Sequence, residues 1–180
     1  YNRRGIVYHF YLQDWDKGLD DYNKAIQLNP DFAKTYSNRG ALYSEKKQYE
    51  EALADFAMCE LLLKKNNPNS KGMAIVVEQK ARTYLDMGEY DKALVAANKG
   101  LEIDERRSLY SVRSDIYTAL NKHDLSKSDV LKWIDLQNDD AEGFMAKAGA
   151  FESIEDYVSA INAYNQAIKL NPGNTEYLSY

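Results

Sequence analysis

The sequence predicts an all-α chain: antiparallel helix hairpins stacked into an α-solenoid. Three observations predict it. The phrase YNKAIQLNP at residues 22–30 returns as YNQAIKLNP at 164–172, with seven of nine residues identical. Small and aromatic residues recur at helical spacing along most of the chain. No run alternates apolar and polar residues with period two, so no strand is expected.

The repeat length follows from further echoes. Tyr22 and Ala25 recur 34 residues on as Phe56 and Cys59. YEEAL at Tyr49 recurs as YDKAL at Tyr90 and as YVSAI at Tyr157. The period is therefore near 34, with one insertion and one deletion. Units are read at residues 1–32, 33–66, 74–106, 107–140 and 141–174, with 175–180 opening a further helix or a cap.

Each unit reads as two helices. The first has a residue more in its corner than the second, because Gly5 to Gly18 is one longer than Gly40 to Ala52. In the second, Tyr36, Leu42 and Tyr43 form one stripe, and Tyr49, Ala52, Leu53, Phe56 and Leu63 another, with the break at 46–48. The insert NPNSKGM, 67–73, reads as a loop; the alternative is that its end extends the next helix. Glu89-Tyr90 and Asp156-Tyr157 mark the corner in the third and fifth units. Second helices end at LNP in the first and fifth, since proline disfavours a helical residue before it. The fourth unit departs most. Ser126 stands where alanine is expected, Trp133 falls near a small-residue slot, and LQND replaces LNP. Tryptophan cannot take alanine's space without strain or helix displacement, so this hairpin is expected to pack irregularly.

The order of residue types resembles the tetratricopeptide repeat over nearly the whole chain. The second unit carries Tyr36, Gly40, Tyr43, Tyr49, Ala52, Phe56 and Cys59 in that order. The first carries Tyr1, Gly5, Tyr8, Trp15, Gly18, Tyr22, Ala25 and Pro30. The third shows Ala81, Tyr84, Gly88, Tyr90, Ala93, Ala97 and Gly100, and the fifth Phe144, Ala148, Phe151, Tyr157, Ala160, Tyr164, Ala167 and Pro172. The resemblance implies five hairpins in a right-handed superhelix. Small residues let helices approach, aromatics fill the space beside them, and each unit covers its neighbour's apolar face.

The chemical inventory argues against an enzyme. His9 and His123 are far apart, no Cys/His pair has metal-ligand spacing, and there is no phosphate-binding glycine loop or nucleophile elbow. Neighbouring acids such as Asp20-Asp21, Glu50-Glu51 and Asp139-Asp140 point about 100° apart on a helix and make no dyad. Cys59 fills a slot that Ala25 and Ala167 take elsewhere, which reads as a buried structural thiol. No cofactor or metal is expected. A net charge of −5 with interspersed signs argues against nucleic acid, and no apolar stretch approaches a membrane span. The chain opens at Tyr1 within a repeat, so it reads as a fragment of a longer protein.

Function is then expected at the surface. The resemblance implies a concave groove, lined by first helices, that holds a partner segment. Carried over unit by unit, its positions are Asn2, Ile6 and His9; Lys34, Ser37, Asn38, Ala41 and Ser44; Ile75, Glu78 and Arg82; Ser111 and Asp115; and Glu142, Met145 and Gly149. Lys34 and Arg82 would give a positive section for an acidic partner segment. Chaperone adaptors of the family clamp a C-terminal carboxylate with Lys, Asn, Asn, Lys and Arg. Those slots here hold Asn2, Ile6, Asn38, Ile75 and Gln79, and shifting by one or two units supplies no better set. This argues against a chaperone-tail clamp, because a carboxylate needs charged donors in fixed positions. The leading expectation is a protein-interaction scaffold. The alternatives are a regulatory or targeting arm of a larger enzyme or signalling protein, and self-association through an uncapped end.

Overall fold

The computed structural model describes residues 1–66 and 71–173. Among them are ten α-helices and no strand. They pair as α1 (Asn2–Ile6) with α2 (Trp15–Leu28), α3 (Ala33–Glu45) with α4 (Tyr49–Asn66), α5 (Lys71–Asp86) with α6 (Tyr90–Ile103), α7 (Arg107–Ala119) with α8 (His123–Asp135), and α9 (Ala141–Ser153) with α10 (Tyr157–Leu170). They fall into two compact units, Tyr1–Glu105 and Arg106–Tyr180.

Each hairpin turns through one residue with positive φ, two places before its second helix: Gln13, Lys47, Gly88, Asn121 and Glu155. The left-handed residue ends one helix and re-aims the chain for the next. Only Gly88 adopts that conformation without a Cβ penalty. Asp14 and Asp156 then cap α2 and α10, accepting hydrogen bonds from the Lys17 and Ser159 amides.

The extra residue of the first corner is absorbed by a π-helical turn, Val7–Tyr11, that continues α1. There Leu12 N–H donates to the Val7 carbonyl five residues back, at 3.1 Å. The insert read at 67–73 lies outside the described residues as far as 70. Its end is not loop: Lys71, Gly72 and Met73 open α5, and Met73 is buried. An apolar side chain at that position gains more from packing under the helix than from exposure in a loop. The cap or helix read at 175–180 lies outside the described residues.

In the first unit the small residues do what their spacing implies. A Cβ on Gly40 would meet the Phe56 ring at 2.7 Å, and one on Gly5 the Tyr22 ring at 2.7 Å. Tyr22, Leu42, Ala52 and Phe56 are fully buried. Polar pairs tie helix to helix. Arg4 binds Asp21, and Arg39 binds Asp55, each through two hydrogen bonds of 2.7 Å. Each guanidinium also lies near two tyrosine rings, three residues before and four after it: Tyr1 and Tyr8 for Arg4, Tyr36 and Tyr43 for Arg39.

The second unit repeats this with Arg113, Asp129, Tyr110 and Tyr117. Its two hairpins meet sparsely, α8 touching α9 at few places. Trp133 occupies the slot filled by Cys59 in α4 and Ala167 in α10, and it is only half-buried. Between α7, α8 and α9 lies a hollow of about 490 Å³ lined by Trp133, Val130, Ser126, Ala146 and Gly149. An indole in a slot that elsewhere holds a small residue keeps the next hairpin from closing on it.

Candidate functional site

The first-helix face of the Tyr1–Glu105 unit is built on helical spacing. Lys34, Ser37, Asn38 and Ala41 lie at i, i+3, i+4 and i+7 on α3, so they share one face. Ile75, Glu78, Gln79 and Arg82 do the same on α5. Side-chain hydrogen bonds tie these helices together. Ser37 Oγ donates to Gln79 Oε1 at 2.6 Å, Asn38 Nδ2 donates to Asn2 Oδ1 at 3.1 Å, and Ser44 and Thr83 hydroxyls stand 2.9 Å apart.

Two hollows open on this face. One, of about 300 Å³, is lined by Lys34, Ser37, Asn38, Cys59, Leu63, Gly72, Ile75 and Gln79. Lys34 is the charged group in that lining, and the rest is small, apolar or amide. The other, of about 280 Å³, is lined by Phe10, Ala41, Ser44, Phe56, Gln79 and Arg82, and by the carboxylates Glu45 and Asp86. Gln79 borders both, so the two hollows adjoin. The floors come from the second helix: Cys59 and Leu63 below one, Phe56 below the other.

Seven of the predicted positions thus line adjoining space: Lys34, Ser37, Asn38, Ala41, Ser44, Ile75 and Arg82. Asn2 and Ile6 are half-buried on α1, Asn2 joined to the face through Asn38. His9 is not on an open face. It is 1% exposed, with Nδ1 3.4 Å from the Tyr22 hydroxyl. Its Nε2 lies 3.1 Å from Glu45 Oε2, too obliquely for a hydrogen bond. The π-helical turn sets this orientation, because an extra residue per turn rotates the ring away from the face that regular spacing implies. Ser37 is also largely buried, but its hydroxyl is the link to Gln79.

In the second unit, Ser111, Asp115 and Gly149 line the hollow beside Trp133, while Glu142 is exposed and Met145 half-buried on α9. Glu78 is half-buried on α5.

Spacing alone did not single out Phe10, Leu63, Gly72 or Gln79 as lining residues. Their signal was indirect: they belong to the π turn, to a second helix, to the insert, and to a clamp slot with the wrong side chain. The Arg–Asp pairs left a clearer trace, the same two residue types 16 or 17 apart in three hairpins.

Burial, before any nearby charge, pushes the Cys59 thiol up to about 11. That keeps it protonated and poorly nucleophilic at neutral pH. No cluster of three or more metal-ligating side chains occurs among the described residues, and no described helix is long and apolar enough to cross a membrane. The hollows offer shape, amide groups and one or two cations, which suits recognition of a chain segment.

Comparisons with known proteins agree with this architecture. Family profiles described as tetratricopeptide repeat match residues 31–106 and 141–174, and one described as TPR repeat matches 8–47. Across 90% of its length the chain is similar, at 29% identity, to the Hsp70-Hsp90 organising protein of Plasmodium falciparum (isolate 3D7), of which it spans 28%. It is 34% identical over 98 residues to heat shock protein STI1 of Saccharomyces cerevisiae, spanning 15% of that protein. The chain therefore spans well under a third of the curated relatives it matches. Among solved structures, TTC0263, a thermophilic TPR protein of Thermus thermophilus, aligns with TM-score 0.67 at 17% identity, over 98% of this chain and 93% of that one. Pseudomonas aeruginosa pilF aligns with TM-score 0.66 at 18% identity, over 97% and 76%.

Proposed function

The chain belongs to the tetratricopeptide repeat family, and on that premise we propose that this protein-interaction scaffold holds an extended partner segment along its first-helix face, from Lys34 to Arg82. The observation that carries the reading is the pair of adjoining hollows joined at Gln79. Each has room for one or two side chains, and the hydrogen bonds across α1, α3 and α5 hold the face in shape before binding. A preformed face loses less entropy on binding than one that must be ordered. The scaffold has no catalytic role of its own.

Lys34 sets the preferred partner chemistry. It is exposed at the rim of a hollow that holds no carboxylate, whereas Arg82 shares its hollow with Glu45 and Asp86. An acidic residue followed by an apolar one fits the first hollow, the acid at Lys34 and the apolar side chain on Ile75 and Leu63.

The name of the Plasmodium relative connects that protein with Hsp70 and Hsp90. The face here favours an internal segment over a free C-terminal carboxylate. Ile6, Ile75 and Gln79 occupy three of the five clamp slots, and Asn38, which does match, is engaged with Asn2.

The test is a titration of a captured partner segment at two salt concentrations. Lys34→Glu should weaken binding more than Arg82→Glu, both without loss of melting temperature, and low salt should tighten it. Amidating the segment's C-terminus should change nothing. Affinity that ignores salt and both reversals would move the site off this face.

A further inference from the structure

The third hairpin lacks a feature that three others share. In the first, second and fourth hairpins an arginine of the first helix binds an aspartate of the second: Arg4–Asp21, Arg39–Asp55 and Arg113–Asp129. A tyrosine stands three residues before each arginine, at Tyr1, Tyr36 and Tyr110. In the third hairpin Lys80 takes the arginine's position, Ala96 the aspartate's and Val77 the preceding tyrosine's. One ring and one carboxylate are therefore missing from the same place, and an ammonium replaces the guanidinium.

The space is not refilled. Lys80 turns away to the preceding hairpin, where its Nζ binds Glu60 Oε1 of α4 at 3.0 Å. A hollow of about 380 Å³ remains among α4, α5 and α6, lined by Val77, Tyr84, Val95 and Ala96 with Lys80, Lys92 and Lys99 around them. Glu60 and Asp91 also line it; Lys80 is paired with Glu60 and Lys92 with Glu89, and Lys99 is the third ammonium of the lining. Lys92 lies 5.9 Å from the Tyr84 ring centroid and 3.1 Å from Glu89. This is not the face of the proposed groove. At about 100° per residue, Val77, Lys80 and Tyr84 lie roughly half a turn around α5 from Ile75, Gln79 and Arg82.

We infer that this hollow is a second docking site, which takes an aspartate or glutamate side chain from an acidic segment of a partner protein. The incoming carboxylate stands in for the aspartate this hairpin lacks. Lys80 has three N–H donors and gives one to Glu60, so it can donate to a further oxygen, with Lys99 at the rim. Val77, Val95 and Ala96 form an apolar wall for the residue beside the acid. Val95 is 70% exposed, so it presents that wall to solvent. The inference is independent of the first-helix face.

The experiment uses the full chain, labelled with ¹⁵N, and an N-acetylated, C-amidated pentapeptide alternating glutamate with leucine. Titration should shift the amides of Val77, Ala96 and Lys99 together and saturate in the millimolar range, as expected for a small exposed site. Ala96→Asp supplies an internal carboxylate at the place where the first, second and fourth hairpins have one, and should abolish those shifts while leaving the melting temperature unchanged or higher. Lys99→Glu, at the surface, should weaken binding about fivefold. The same peptide with lysine for glutamate should not bind. Shifts confined to the Lys34–Arg82 face, no shifts at all, or shifts unchanged in Ala96→Asp and Lys99→Glu would each overturn the inference. So would free N-acetylglutamate binding as tightly as the peptide, since the apolar wall would then contribute nothing.

Discussion

Two glycine-to-alanine changes should act with opposite sign. Gly40 and Gly149 both lie inside first helices, α3 and α9. Alanine is favoured over glycine in a helix interior by about 1 kcal/mol, so both changes gain that much locally. At Gly40 the new Cβ would stand 2.7 and 2.9 Å from two Phe56 ring carbons and 3.1 Å from the Ala52 carbonyl oxygen. The ring is fully buried, so it cannot retreat without moving α4. Overpacking of this kind costs roughly 1–3 kcal/mol, and a ring and a backbone atom struck together place it near the upper end. The net expectation is a loss of about 2 kcal/mol. At Gly149 the Cβ meets nothing within 4 Å, so the gain of about 1 kcal/mol should survive. Urea unfolding followed by far-ultraviolet circular dichroism measures both. The reasoning fails if Gly40→Ala stabilises the chain or Gly149→Ala destabilises it.

Other outcomes follow from the same contacts. Asp55→Asn should cost about 3 kcal/mol in urea unfolding, because Arg39 is left largely buried without its carboxylate; a loss below about half a kcal/mol would mean the pair contributes little. Ala52→Leu, at a fully buried crossing, should cost roughly 1–3 kcal/mol by the same measurement. The hydrogen bonds from Arg4 hold the Asp21 carboxyl below its ordinary value, and Lys17 and Ser159 do so for Asp14 and Asp156. Their contribution is complete above the ordinary carboxylate pKa of about 4 and is lost as pH falls through the lower folded values. Melting temperature should therefore drop on acidification below that point, and Asp21→Asn should flatten part of the drop. Cys59, held near 11 by burial, should react with a disulfide reagent at pH 8 only as the protein unfolds; prompt labelling of the folded chain would contradict its placement.

The hairpins, their corners and the glycine–aromatic crossings were legible in the sequence because each is a local pattern repeated. One small residue under one ring, and one break before one aromatic, recur about every 34 positions. The stripe from Lys34 to Ala41 was legible for the same reason, since helical spacing alone puts those residues on one face. What the sequence could not decide depends on atoms brought together from different hairpins. The extra corner residue was countable, but its placement in a π turn, which buries His9, was settled by packing against Tyr22 and Glu45. Gln79 became central only when α5 lay against α3. Trp133 was visible as an anomaly, while the hollow beside it depends on how far α9 stands from α8. The space left by Ala96 and Val77 is emptied by a lysine that pairs with Glu60, a residue of the neighbouring hairpin. A single sequence records which side chain is small. Only the packed structure decides whether a neighbour fills the space, because that depends on the reach and pairing of groups distant along the chain.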